Sequence, residues 1–206
     1  MTRPYDAQPG LARLAKRVRG RRSCDLPALF ALTDPARTPD PIAYARALTP
    51  GTGLVYRHYG AADRFETALT LARIADECGL LLFVSGDVRL ADRVDAHGIH
   101  WPERMLGAAA SRRMRGDRRP FTASAHSAAA AQRARLAGID AVFYSTVFAS
   151  KSATAGRPRG IFAAAALAQS VEIPLFPLGG VNARTGRRLC GLGFAGLACV
   201  GALSDD

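Results

Sequence analysis

Reactive side chains in this sequence fall just after short apolar runs. The segment Phe121 to Ser127, FTASAHS, is the fullest case. Ser124 and His126 alternate there, so in an extended strand they share one side. A neutral histidine near pH 7 can take a proton and return it. Ser127 instead suits the first turn of a helix, where its hydroxyl caps a free amide. Arg57 closes another apolar run, and a guanidinium in that place can grip a phosphate or carboxylate through two parallel hydrogen bonds. His100 ends a third run, Gly98 to Trp101, where it could bond a ligand ring or pack. Ser85-Gly86-Asp87 ends a fourth, with Ser85 a candidate ligand contact. A carboxylate there could hold a metal, but Val88, Leu90, Ala91 and Val94 follow at helical spacing, which makes Asp87 a helix cap. No carboxylate or histidine lies at metal-ligand spacing from His100, so no metal ligand is assigned.

Two further segments suit an anion. Ser150, Lys151 and Ser152 lie in a long hydroxyl-rich stretch that could close over a negatively charged ligand. Gly179-Gly180 and Gly201-Ala202 each follow an apolar run, and the absence of bulky side chains lets backbone amides approach a phosphate.

The elements that must position these residues alternate. Apolar runs at 28–33, 53–57, 80–84, 98–101, 121–124, 141–145, 175–178 and 196–200 read as eight strands. Amphipathic, alanine-rich stretches at 41–48, 63–78, 88–94, 102–114, 128–137, 161–170 and 183–192 read as helices between them. Strand–helix alternation predicts a parallel sheet. Eight strands predict a single closed (β/α)8 barrel of α/β class, compact beside the ~250 residues typical of that fold. Its last helix would be truncated, because few residues follow the eighth strand. Residues 1–26 read as a basic extension, helical over 10–20 and covering the barrel's N-terminal end, and residues 27–206 as the barrel. Chemistry in such a barrel sits at the C-terminal ends of the strands, with phosphate held after strands seven and eight.

Composition narrows the function classes. No apolar stretch reaches the ~18 residues that span a bilayer, and the N-terminus lacks the apolar core of a secretory signal, so a cytoplasmic protein without a membrane partner is expected. Cys24, Cys78, Cys190 and Cys199 form no CxxC pair, which argues against a zinc site or disulfide framework. The net charge is +11, almost all from arginine, with clusters at 13–22 and 112–119. Neither cluster carries interleaved aromatics for base stacking, so they read as solvated faces and no nucleic-acid partner is expected. A polyanion-binding role for them would show as steeply salt-dependent binding.

Taken in order, LFALTD at residues 29–34, Arg57, RLADRVDAHGIH, SAHS, VFYSTVFASKS and IPLFPLGGVNARTGRRLCGLGFAGLACVGAL resemble the thiamine phosphate synthase and TenI family over nearly all of residues 28–203. The resemblance implies the same barrel and a small phosphorylated substrate. The synthase joins a pyrimidine pyrophosphate to a thiazole phosphate with magnesium's help; some TenI-like relatives instead aromatise a thiazole carboxylate phosphate by moving a proton. Several positions depart from the synthase pattern. Glutamine and lysine flanking the arginine of strand two become Val55 and Tyr59. The Asn-Asp after strand three becomes Ser85-Gly86, and a second magnesium aspartate becomes Met105. A Gly-Gln pair becomes Pro102-Glu103, and Lys151 is displaced within Ser150-Lys151-Ser152-Ala153. Magnesium is held by one or two carboxylates plus substrate phosphates, so the departures favour the TenI-like branch, with no cofactor, and magnesium only for a divergent synthase. On this reading His126 is the acid and base, Arg57 holds the carboxylate, and Ser85, His100, Ser124, Ser150, Lys151 and Ser152 contact substrate. Gly179, Gly180, Gly201 and Ala202 bind the phosphate. A non-catalytic binder of thiamine-type phosphates is the third reading. Members of the family are often dimers or larger, so a homo-oligomer is compatible with the chain.

Overall fold

The computed structural model describes residues 9–19, 24–150 and 156–201. Eight parallel strands are present where the apolar runs lie: β1 (Leu29–Leu32), β2 (Gly53–Tyr56), β3 (Leu81–Ser85), β4 (Gly98–Trp101), β5 (Phe121–Ala125), β6 (Ala141–Tyr144), β7 (Leu175–Pro177) and β8 (Leu197–Val200). They are hydrogen-bonded in the order β7-β6-β5-β4-β3-β2-β1-β8, so β8 returns to β1. Between β7 and β8 a single backbone bond, Ala195 N to Leu175 O at 2.9 Å, spans the seam. The chain is thus a nearly closed (β/α)8 barrel. Both faces of each strand are covered, which is why the strands read as continuous apolar runs rather than alternating ones.

The barrel interior is built on four phenylalanines. Phe30 meets Phe83, Phe143 and Phe176 with ring centroids 5.2, 4.9 and 5.3 Å away. Rings of this size fit because the adjoining strands carry glycine: a Cβ at Gly53 would fall 2.3 Å from the Phe30 ring, and one at Gly98 2.2 Å from Phe83. Large and small residues alternate to native density in this way.

Helices α2 (Pro41–Arg46), α3 (Arg64–Cys78), α4 (Val88–Arg93), α5 (Leu106–Met114), α6 (Ala128–Leu136) and α7 (Ile161–Ser170) pack outside. Their buried faces are largely alanine, as at Ala130, Ala131 and Ala134 of α6. Asp40 caps α2 by accepting from the amides of Ile42 and Ala43 at 3.0 and 2.9 Å. Two helices are shorter than the pattern suggested. Residues 103–105 form a separate 3-10 turn before α5, and α8 covers only Ala183–Gly186 before a 3-10 turn at 187–189. There a Cβ on Gly186 would lie 3.0 Å from Leu14, so α8 is pressed against the N-terminal helix α1 (Pro9–Val18).

Helix α1 buries Leu11, Leu14, Ala15 and Val18 and exposes Arg13, Lys16 and Arg17. Arg19 follows, donating to the carbonyls of Leu26 and Ala195 just before β1 and β8. The helix therefore closes the end where the strands begin, as expected of the 10–20 segment. The second arginine cluster lies at the same end. Arg112 and Arg119 share Asp92 and Asp117 at 2.6–2.9 Å. Arg113 reaches Asp140 at 2.7 Å and covers the Phe121 ring at 3.9 Å. Hydrogen bonding from Arg119 holds the Asp117 carboxyl well below the usual carboxylate range. Three arginines of this cluster are thus committed to internal pairs, which weakens the polyanion reading. The four cysteines are free thiols. No helix among the described residues is long and apolar enough to cross a membrane.

Candidate active site at the barrel mouth

The opposite end gathers the residues that follow each strand. Arg57, one residue past β2, is clipped to the end of β1: its amide donates to the Thr33 hydroxyl at 2.9 Å and Nε donates to the Thr33 carbonyl at 2.8 Å. A terminal nitrogen lies 3.6 Å from Asp34 Oδ2. Burial works against the charge on Arg57, while Tyr59 and Asp34 favour it.

Inside the mouth, His100 is buried and both ring nitrogens are occupied. Nδ1 faces the Thr122 hydroxyl at 2.9 Å and Nε2 the Ser124 hydroxyl at 3.0 Å. The ring stacks on Phe143 with centroids 4.9 Å apart. Burial, helped by Arg57, pushes its pKa down to about 3, so it is neutral at physiological pH. His100 is placed to orient Ser124, which is half-buried, rather than to meet a ligand itself.

His126 lies just past β5 with its side chain 59% exposed. Its backbone amide and Nδ1 both reach Glu103 Oε2, at 3.1 and 2.9 Å. Arg133 holds the other oxygen of Glu103 at 2.8 Å. The arrangement pins one imidazole nitrogen and leaves Nε2 without a partner among the described residues. Ser124 and His126 do share a side by alternation, yet Ser124 turns into the barrel and His126 sits on the rim.

Ser85 is fully buried, its hydroxyl 2.5 Å from that of Tyr59 and its carbonyl accepting from Arg64 at 3.1 Å. It is covered rather than presented to a ligand. Asp87 caps α4, accepting from the Leu90 amide at 3.0 Å, as the helical pattern after it indicated. Ser127 caps α6 in the same way, from Ala130.

Gly179 and Gly180 have φ of +90° and +64°. A Cβ on Gly179 would sit 2.6 Å from Thr146, and one on Gly180 2.3 Å from the Ala149 carbonyl. Phe148 N also donates to Gly179 O at 3.0 Å. The backbone these glycines admit is therefore that of the β6 loop. Ser150 is half-buried in that loop, and Gly201 is half-buried at the end of β8. Lys151, Ser152 and Ala202 lie outside the described residues, as does the rest of the extension at 1–8 and 20–23.

The magnesium site implied by the resemblance does not fit these residues. Position 86 is a glycine with φ +67°, faced by Tyr59, Pro102 and Met105. Asp87 is turned to its cap and lies 3.8 Å from Arg64, and Glu103 is taken by His126 and Arg133. Among the described residues no three of His, Cys, Asp and Glu come together as a metal site.

Sequence reasoning missed Glu103 as the partner of His126 and Asp34 as the partner of Arg57. Glu103 had a usable signal, since it follows β4 and so neighbours the end of β5. Asp34 likewise follows β1, beside the end of β2.

Fold and mouth together define a (β/α)8 barrel whose strand ends carry arginine, histidine and glycine. The family model described as thiamine monophosphate synthase matches residues 30–203, and the chain belongs to that family. It is 31% identical to a thiamine-phosphate synthase of Alcanivorax borkumensis over 186 residues, 86% of this chain and 85% of that one. It is 31% identical to a thiamine-phosphate synthase of Synechococcus over 165 residues, spanning 78% of this chain but 47% of that longer protein. In fold it is similar to a thiamine phosphate pyrophosphorylase of Pyrococcus furiosus, with TM-score 0.73 and 24% identity, covering 92% of this chain and 88% of that one.

Proposed function

We propose that this chain is a divergent thiamine-phosphate synthase, a cytoplasmic enzyme that holds a thiazole phosphate in the barrel mouth and joins it to a pyrimidine pyrophosphate. The names of its relatives support coupling over the isomerase branch favoured by the sequence departures. The observation that carries the substrate class is Arg57, fixed by Thr33 at Nε and slack at its terminal nitrogens, reaching over the end of β1, the neighbour of β8, whose following loop holds phosphate in this fold. Amides of Gly179, Gly180, Gly201 and Ala202 would take the phosphate. Ser124, aligned by His100, would bond the thiazole ring, and Ser150, Lys151 and Ser152 would cover it. Arg57 would grip the thiazole phosphate, and pyrophosphate would leave the pyrimidine as the thiazole nitrogen bonds to the carbon it departs from. No step is assigned to a metal or other cofactor, because the residues present do not suit magnesium.

A second reading is favoured by the His126–Glu103 pair. With Nδ1 held, Nε2 could take the proton beside the carboxylate of a thiazole carboxylate phosphate and return it to the ring, while Arg57 held the carboxylate. One experiment separates the two. Excess enzyme is incubated with both synthase substrates, with and without magnesium, and separately with the thiazole carboxylate phosphate. Thiamine phosphate supports the synthase; its absence in both conditions overturns it. Isomerised thiazole that falls at least ~100-fold in His126→Ala, with binding retained, supports the second reading. Thermal stabilisation by thiazole phosphate with neither product leaves a non-catalytic binder.

A further inference from the structure

We propose that Arg37, in the loop after β1, is a second phosphate-gripping guanidinium at the mouth, working with Arg57 on a phosphate monoester. The inference rests on the proposed ligand class and extends it to a loop that nothing else assigns.

The loop is held rigidly. Asp34 N donates to the Thr38 hydroxyl at 2.7 Å, and that hydroxyl donates back to the Asp34 carbonyl at 3.0 Å. The amides of Ala36 and Arg37 both donate to Asp34 Oδ1 at 3.2 Å. Thr38 is fully buried. This turn lays Arg37 across the end of β8: a Cβ built on Gly201 would lie 3.2 Å from Arg37 Cβ and 3.9 Å from its Cδ. Gly201 marks the strand end where the fold holds phosphate.

The charges there are unbalanced. A single oxygen, Asp34 Oδ2, faces Nη2 of Arg37 at 3.5 Å and Nη2 of Arg57 at 3.6 Å. Both separations are long for a charge-assisted hydrogen bond, which closes to about 2.7–2.9 Å. Two guanidiniums thus share one carboxylate oxygen loosely, and each keeps donors to spare. A phosphate dianion entering between the β1 loop and the end of β8 would supply the acceptors that Asp34 cannot. Asp34 itself is held below the usual carboxylate range, with burial opposing and Arg37 and Arg57 favouring its charge, so it remains an anion while the arginines wait.

The test is calorimetric binding of inorganic phosphate, thiazole phosphate and the unphosphorylated thiazole alcohol to the full chain and to Arg37→Ala and Arg37→Lys. Arg37→Ala should weaken both phosphates by about 10-fold or more, the loss of one charge-assisted contact. The alcohol should bind as before, and lysine, a point charge without the fork, should restore part of the loss. Equal phosphate affinity in Arg37→Ala overturns the inference and leaves the proposed function standing. An equal loss for all three ligands also overturns it, since that reports a disturbed mouth. Arg37-dependent binding of inorganic phosphate by a chain that ignores thiazole phosphate would uphold Arg37 and sink the proposed ligand.

Discussion

A histidine whose two nitrogens are both bonded, and whose ring lies flat on Phe143, resists protonation, and this has a consequence for His100 that reaches beyond binding. Its folded pKa, near 3, lies below the ~6.5 of an unfolded histidine. The unfolded chain therefore takes up a proton first as the solution is acidified. Stability from this group is complete above about pH 6.5 and is lost progressively from there toward pH 3. His100→Asn, which cannot titrate, should flatten that part of the pH–stability curve, measured by chemical denaturation at pH 7.5, 6 and 5. A parallel curve for both proteins would mean that His100 charges freely in the fold. Asp117 acts in the same direction lower down: its depressed carboxyl contributes above the ordinary carboxylate range and loses that contribution as pH falls through it.

At the scale of elements, the loops after β6 and β7 form one unit, because the space a side chain would take at Gly179 and Gly180 is filled by the β6 loop. A side chain at 180 would meet two costs: the left-handed backbone at φ +64° and a Cβ 2.3 Å from the Ala149 carbonyl. Gly180→Ala should therefore cost about 2 kcal/mol and push the β6 loop outward. Thermal unfolding and proteolysis of that loop would read both effects. Unchanged stability with an intact loop would show that the two loops do not depend on each other. This pairing was hidden in the sequence, where a bare Gly-Gly shows only that something comes close. The strands were legible because burial on both faces makes each an unbroken apolar run, and Asp87 was legible because a cap and its helix are neighbours in sequence. Arg57's clip to Thr33 was not, since those residues are 24 apart in sequence and meet only when β1 and β2 pair. Nor was the cover over Ser85, which depends on a tyrosine 26 residues away. Helix α8 is shorter than its apolar spacing suggests, because that spacing continues past the point where α1 packs against Gly186 and the helix gives way to a 3-10 turn.

The molecule as a whole separates its two ends. Arg57, Arg37, His126, Gly179, Gly180 and Gly201 stand where strands finish, while α1 and the Arg112–Asp92–Asp117–Arg119 network stand where strands begin. Barrels of this kind place chemistry at the first end and stability at the second. Leu14 tests whether this one does. The residue is 7% exposed, and its side chain packs toward Gly186 and the core. Leu14→Ala should cost about 2–3 kcal/mol through lost burial and the cavity left behind. In a domain of this size that lowers the melting temperature by roughly 4–12 °C. Phosphate affinity at the mouth should stay within about twofold of the parent, since no described contact joins Leu14 to Arg57, Arg37 or the β7 and β8 ends, and sites without shared partners add independently. If affinity instead falls in step with stability, the barrel transmits strain from its closed end to its open one, and the phosphate site depends on α1 for its shape.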